Sequence, residues 1–504
     1  EIPLRLVGSE MCIRDSNNII NLGYALTFIP TLYGCSDSTG KIKENTSSKR
    51  PNIILFVTDD HGMDALGCYG NNIIKTPNMD SLAANGVRFT QAYCTSASSA
   101  ASRSVLLTGK YGHAIGAYGH THDYHHFSTF KDVRSLPVIL SENGYFTGRI
   151  GKYHVAPESV YHFDKVYTGN PRNTVEMAEN CKEIFNSEKP FFLYFCTDDP
   201  HRSGFTEKVD DWSSPNPFGN RKDGYKGCSN IVYSPDSVIV PSFLPDNKET
   251  REEIAQYYQS VSRVDQGMGK LLSYLKESGK ADNTIIIYIS DNGMAFPGAK
   301  TTVYEPGLKL PCIISSPFIK SKGITNGAMI SWVDMTPTIL DMAGINTKDE
   351  GFMGRSFLPV IESESHEGWN RIFASHTFHE ITMYYPMRVM RKGDYKIIWN
   401  IAHSLEYPFA SDLWISSTWQ SIYRNNLTHF GKRTTDSYLH RPEFELYNLK
   451  EDPDEINNLA LKKDYTDILE QMKKELKEWQ LKTKDPWYIM WNHDASLQGA
   501  GEKL

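Results

Sequence analysis

Three short stretches of this chain are apolar almost throughout, with no alternation: Asn52 to Thr58, Phe191 to Cys196 and Thr284 to Ser290. A strand buried on both faces has this signature, and such strands belong to parallel sheets. A shorter run, Thr147 to Ile150, belongs with them. From Glu252 to Ser278 the pattern changes, with apolar residues at Ile254, Tyr257, Tyr258, Val261, Val264, Met268, Leu271, Leu272 and Leu275. That three-and-four spacing predicts one buried face of a helix. Strands alternating with helices predict an α/β fold, a sandwich around a mostly parallel sheet. Trp212 to Thr250 is rich in Pro, Gly, Asn and Asp and predicts a long excursion at the rim of a pocket. Beyond about residue 370 the runs shorten. Tyr395 to Asn400 and Phe444 to Asn448 predict a smaller antiparallel sheet, closed by a helix from about Thr466 to Leu481.

Composition supports a globular chain. Of 504 residues, 40% are hydrophobic and 22% charged, so disorder is excluded and a large core is available. A net charge of −7 argues against nucleic acid as a partner. The pattern divides the chain into residues 1–50, an N-terminal segment with no folded pattern of its own; 51–370, a catalytic domain; and 371–504, a smaller C-terminal domain closing the substrate pocket. Residues 1 to about 16 resemble read-through from a sequencing adapter. The apolar stretch Ile19 to Leu32 ends in Leu32-Tyr33-Gly34-Cys35, which resembles a bacterial lipobox, and a Ser/Thr/Lys-rich tether follows to Arg50. This predicts an exported lipoprotein, periplasmic or anchored in the outer membrane, meeting the membrane only through its lipid. The remaining cysteines show no CxxC spacing, so neither a zinc site nor a disulfide framework is indicated.

The candidate chemistry follows the strands. The first strong strand runs into Asp59-Asp60 and another into Asp291-Asn292-Gly293. In α/β sheets ligands gather at the carboxyl ends of strands, so the two clusters can share one pocket. Their oxygen donors suit a hard divalent cation, calcium before magnesium; taken singly, each pair reads better as turn chemistry after a strand, and it is the two together with the Ser99 segment that favour a site. Gly151-Lys152-Tyr153-His154 and Asp199-Pro200-His201-Arg202 also follow strand-like runs, and Lys300 lies nine positions after Asp291. The segment Ser99-Ala-Ala-Ser102-Arg103, leading through Ser104 into Val-Leu-Leu-Thr-Gly109, reads alone either as a helix-capping turn or as an activation site.

Together, in this order, these segments resemble the sulfatases of the alkaline-phosphatase superfamily. Within them the chain is most similar to the N-sulfoglucosamine sulfohydrolases (sulfamidases), through Asp123-Tyr-His-His-Phe127, Val133-Arg-Ser-Leu-Pro137, Val264-Asp-Gln-Gly267, Asp334-Met-Thr-Pro-Thr-Ile-Leu-Asp341, His379-Glu-Ile-Thr-Met383, Tyr385-Pro-Met-Arg388 and Asp485-Pro-Trp487. The resemblance implies an alkaline-phosphatase-like fold and a formylglycine made by oxidising Ser99, which stands four positions before Arg103. It also implies one Ca²⁺ held by Asp59, Asp60, Asp291, Asn292 and the modified Ser99. Arg103 would stabilise the hydrated aldehyde, Lys152 and Lys300 would bind sulfate oxygens, His201 would protonate the leaving group, and His154 would accompany it. Asp123, His379, Glu380 and Arg388 are the candidates for sugar contact.

Three departures from the family pattern carry consequences. A serine-type segment calls for the anaerobic radical maturase as a partner. Ala101 occupies the usual proline position. Lys300 stands where the nearest relatives have arginine, exchanging a bidentate clamp for a point charge. The expected substrate is the N-sulfate of non-reducing-end glucosamine in heparin or heparan sulfate fragments. The alternatives are an O-sulfatase acting on another sulfated glycan, a phosphate or phosphonate hydrolase using unmodified Ser99, and an inactive glycan-binding lipoprotein. A homodimer is compatible with all of them.

Overall fold

The computed structural model describes residues 50–203, 216–348 and 350–492; the lipobox and tether lie outside them. Its main sheet has nine strands: β1 (Asn52–Thr58), β2 (Val87–Tyr93), β3 (Phe146–Gly151), β4 (Lys165–Tyr167), β5 (Phe191–Cys196), β6 (Thr284–Ser290), β7 (Lys309–Ser315), β8 (Ile324–Asn326) and β9 (Ile330–Ser331). They run in the order β4-β3-β5-β1-β6-β7-β2-β8, with β9 also paired to β2. From β4 to β6 every pairing is parallel, and β7 is antiparallel to both its neighbours.

The three unbroken apolar runs form the centre of this sheet, buried at every position. Successive side chains on a strand point to opposite faces, so each run must satisfy two cores. Ile53, Leu55 and Val57 of β1, with Ile285, Ile287 and Ile289 of β6, pack on one face. Ile54 and Phe56, with Ile286 and Tyr288, pack on the other. The helical spacing beginning at Glu252 lies in the helix Lys248–Glu277, which starts four residues earlier because the Asn247 side chain caps it by accepting from Thr250 N. That helix sends Ile254, Tyr257 and Val261 to the first core and Val264, Met268, Leu271 and Leu275 to the second.

The second sheet is antiparallel, formed by β10 (Arg371–Phe378), β11 (Tyr384–Lys392), β12 (Tyr395–Asn400) and, beyond a two-stranded ribbon of β13 (His429–Phe430) with β14 (Arg433–Thr434), β15 (Phe444–Asn448). One face, with Met390, Ile397, Trp399 and Leu446, packs on Leu469, Met472, Leu476 and Trp479 of the helix Thr466–Lys482. The other face, with Met387, Val389, Ile398 and Tyr447, merges into the first core of the main sheet. All described residues therefore belong to one compact unit. None of the described helices is long and apolar enough to cross a membrane, and all six described cysteines are free thiols.

Candidate active site

Parallel register builds the floor of the pocket. Thr58 of β1 pairs with Ser290 of β6, so the residues that follow, Asp59-Asp60 and Asp291-Asn292, emerge side by side. Cys196 of β5 aligns with Val57 on one side and with Gly151 of β3 on the other, which brings Lys152, His154 and His201 to the same edge. Asp60 and His154 adopt left-handed φ angles of 62° and 52°. Such angles strain residues other than glycine and collect where a side chain must be aimed. Gly293 is required by close approach, since a Cβ there would stand 2.0 Å from the Pro306 carbonyl oxygen.

The Ser99 segment is the first turn of the helix Ser99–Thr108, which ends at Gly109 in the left-handed region (φ 63°). Its serines do not cap it. Ser98, in the N-cap position, bonds through Oγ to His379 Nδ1 at 2.9 Å. Ser99 Oγ donates to Asp59 Oδ1 at 3.0 Å or to Asn292 Oδ1 at 3.2 Å. One turn later Arg103, fully buried, donates from Nε to Asp291 Oδ2 at 2.8 Å and from Nη1 to the Lys152 carbonyl at 3.2 Å. Ser102 Oγ anchors the same turn by donating to the Asp291 carbonyl at 2.5 Å. The plain capping turn is thereby excluded: the serine hydroxyl faces the carboxylates.

Electrostatics sets the three carboxylates apart. Burial raises Asp60 to about 7, and the charges of Asp59 and Asp291 add to the rise against the pull of Lys300. Burial likewise raises Asp291 to about 6, opposed by Arg103. Burial acts upward on Asp59 too, but Lys152, His201 and Arg103 overcome it and hold that carboxyl well below the usual range. Lys152 Nζ is ion-paired with Asp59 Oδ2, and Lys300 Nζ stands 3.0 Å from Asp60 Oδ2. Burial, then Lys300 and Lys152, push His201 well below the ordinary histidine value, leaving a neutral imidazole whose Nε2 is 3.0 Å from Lys300 Nζ.

Ligand atoms of Asp59, Asp60 and Asp291 lie within 4.8 Å of one another, all three residues buried. With Asn292 Oδ1 and the residue-99 oxygen beside them, this all-oxygen set fits a hard divalent cation.

The expected sugar contacts separate into two kinds. Asp123 lies on the rim, largely exposed, with its carboxylate 3.6 Å from His122 Nε2. Glu380 also stays at the rim, where Oε1 accepts from Ser411 N at 2.9 Å and Ser411 Oγ at 2.5 Å. His379 is buried behind Ser98. Arg388 must be corrected: it is fully enclosed within the second sheet, with Nε and Nη2 donating to Asp485 at 2.5 and 2.8 Å and Nη1 to backbone carbonyls. It braces β11 against the chain after the helix Thr466–Lys482 and, fully buried, presents no surface to a sugar.

Several partners of the site residues carry no sequence pattern. Asp412, on a short helix (Ser411–Trp414) far along the chain, accepts from Lys300 Nζ at 2.7 Å. Asp199 is held by Arg172 at 2.7 Å and Arg263 at 2.6 Å, and Arg202 pairs with Glu253; both contacts fix the loop that carries His201. The position of Asp199 and Arg202 around His201 was the available signal. Nothing marked their partners.

Fold and site define a class: an α/β protein with an acidic, cation-ready pocket at the carboxyl ends of parallel strands. Comparison with known proteins makes that specific. The sulfatase family model matches residues 51–345, and the model of the C-terminal part of N-sulphoglucosamine sulphohydrolase matches residues 298–411. The human protein named N-sulphoglucosamine sulphohydrolase is 36% identical over 86% of this chain and 91% of its own length. An N-acetylglucosamine-6-O-sulfatase of Bacteroides thetaiotaomicron is 29% identical over 88% of each chain. Among solved structures, a 2-O glycosaminoglycan sulfatase superposes with a TM-score of 0.64 at 20% identity, covering 87% of this chain and 94% of its own. The chain belongs to the sulfatase family, and it is a sulfatase.

Proposed function

We propose that this sulfatase removes the N-sulfate from non-reducing-end glucosamine in heparin or heparan sulfate fragments, using a formylglycine made from Ser99 and a calcium ion held by Asp59, Asp60, Asp291 and Asn292. The observation that carries the reading is the place of Ser99 Oγ, within hydrogen-bond reach of both Asp59 Oδ1 and Asn292 Oδ1, one helical turn from Arg103. The relative named for the sulfamate reaction and the match of its C-terminal model support the choice of substrate.

Bound calcium would neutralise the carboxylates and polarise an oxygen beside them. Oxidised residue 99 would supply a hydrated aldehyde, with one hydroxyl to attack sulfur and a second to expel sulfate afterwards. The chain's own residues do the rest. Arg103 keeps Asp291 oriented and places a positive charge under residue 99. Lys152 and Lys300, paired with Asp59 and Asp60 in this structure, would supply the positive charge for the sulfuryl oxygens where those carboxylates hold a cation. An anionic sulfamate would then offset the lysine charge that adds to burial in keeping His201 neutral. His201 recovers its proton affinity and delivers a proton to the leaving nitrogen. His154 would take a proton from the attacking hydroxyl. Asp412 holds Lys300 in place from the rim.

A second reading, the 6-O-sulfate of N-acetylglucosamine, is favoured by the Bacteroides relative of that name. Matured enzyme assayed on N-sulfoglucosamine and on 6-O-sulfated N-acetylglucosamine separates the two. We expect sulfate from the first, and release from the second alone overturns the sulfamate assignment. The further proposals, an exported lipoprotein lipidated at Cys35 and maturation by a radical enzyme, are tested by metabolic lipid labelling of Cys35→Ala and by co-expression with that enzyme.

A further inference from the structure

Above the carboxylate floor lies a second cluster of different chemistry. Five imidazoles, from His120, His122, His125, His154 and His379, crowd one side of the pocket, with ring centroids of neighbouring pairs 4.0 to 5.6 Å apart. Two of them are already committed through their Nδ1 atoms. His379 bonds Ser98 Oγ, and His125 accepts from Ile381 N at 3.0 Å. The other three converge: one ring nitrogen each from His120, His122 and His154 lies within 4.8 Å of the others.

We propose that His120, His122 and His154 form a binding site for a borderline transition-metal dication of the zinc type, distinct from the hard-cation site below it. Three imidazoles and a free position for water match the donor set zinc takes at open sites, and imidazole nitrogen selects zinc, copper or nickel over calcium and magnesium. His122 Nδ1 and His154 Nε2 are 2.9 Å apart. Two nitrogens at about 2.05 Å from a tetrahedral ion stand about 3.3 Å apart, so this pair of rings need separate by only a few tenths of an ångström. The other nitrogen of His122 faces the Asp123 carboxylate at 3.6 Å, the outer partner that commonly orients a metal-bound histidine. His120 Nδ1 is buried without a hydrogen-bond partner among the described residues, a cost that a ligand or ordered water in the cluster would relieve.

The consequence is inhibition. A metal on His154 occupies the lone pair that the reaction uses; this step, unlike the binding itself, rests on the proton role given to His154 above.

The test uses the full chain in excess calcium, which saturates the carboxylate site. Co²⁺ titration should give the intense visible bands of four-coordinate cobalt, and Zn²⁺ should displace it at one equivalent. His122→Ala, at a half-exposed position whose loss leaves the core intact, should weaken Zn²⁺ at least tenfold, as should His120→Asn. Zinc should suppress sulfate release by the matured wild type, with less effect on His122→Ala relative to its own zinc-free rate. Anomalous scattering at the zinc edge should place the ion between the three rings. No binding in calcium, or equal affinity in both variants, overturns the site. Binding at the trio with sulfate release unaffected would instead contradict the role of His154 and leave the site standing.

Discussion

The two sides of the pocket are built by different means. The acidic floor comes from adjacent strand ends: once β1 and β6 pair in parallel, Asp59-Asp60 and Asp291-Asn292 have nowhere else to go. The rim comes from loops and short helices around the C-terminal sheet, where Asp412 and Glu380 arrive through packing. Chemistry that tolerates no misplacement sits on the floor, and groups that tune and enclose sit on the rim.

The sharpest way to break this contrast is at Ser99. Ser99→Ala should lower sulfate release by ~10⁴-fold or more, the scale of losing a nucleophile, with the thermal midpoint unchanged. Residual activity close to wild type would remove the floor from the reaction.

Acid should act on the C-terminal side through stability. Burial lowers His113 to about 4 and His376 to about 3, with the Arg388 charge adding to both. Both values lie below the unfolded histidine's 6.5, so the unfolded chain binds more protons as pH falls. The stability these groups contribute is full above pH 6.5 and is lost toward pH 4 for His113 and pH 3 for His376, by about 2 kcal/mol each at pH 5. Denaturant melts at pH 7 and pH 5 check this, and His113→Gln should flatten the dependence.

Arg388 distinguishes a brace from a sugar contact. Arg388→Met leaves Asp485 buried and unpaired and should cost about 3–5 kcal/mol, with KM unchanged in the folded enzyme. A raised KM at unchanged stability would restore it to the pocket. The smallest effect is expected at Asp412. Asp412→Asn loosens Lys300 and should lower kcat/KM by ~10–100-fold, the usual scale for an outer partner. The loss should fall on kcat more than on KM.

Legibility in the sequence followed the same division. The central strands could be read to the residue because burial on both faces leaves an unbroken apolar run, and their ends identified the floor. Ser99 was an even choice until its neighbours were considered, since a serine before a helix is common and only its burial among carboxylates decides. Arg388 was misplaced because an arginine in a motif carries no mark of which way it faces; here it faces Asp485. Asp412 and the convergence of His120, His122 and His154 depend on contacts between distant segments that no local spacing records.

The most direct test of the central claim pairs two preparations of the chain, one co-expressed with a radical sulfatase-maturing enzyme and one without. Mass spectrometry of the residue-99 peptide gives the fraction lighter by two hydrogens, and sulfate release from N-sulfoglucosamine is measured on the same samples. Activity should rise in proportion to that fraction and vanish where serine is intact. Equal activity in unmodified protein would contradict the account.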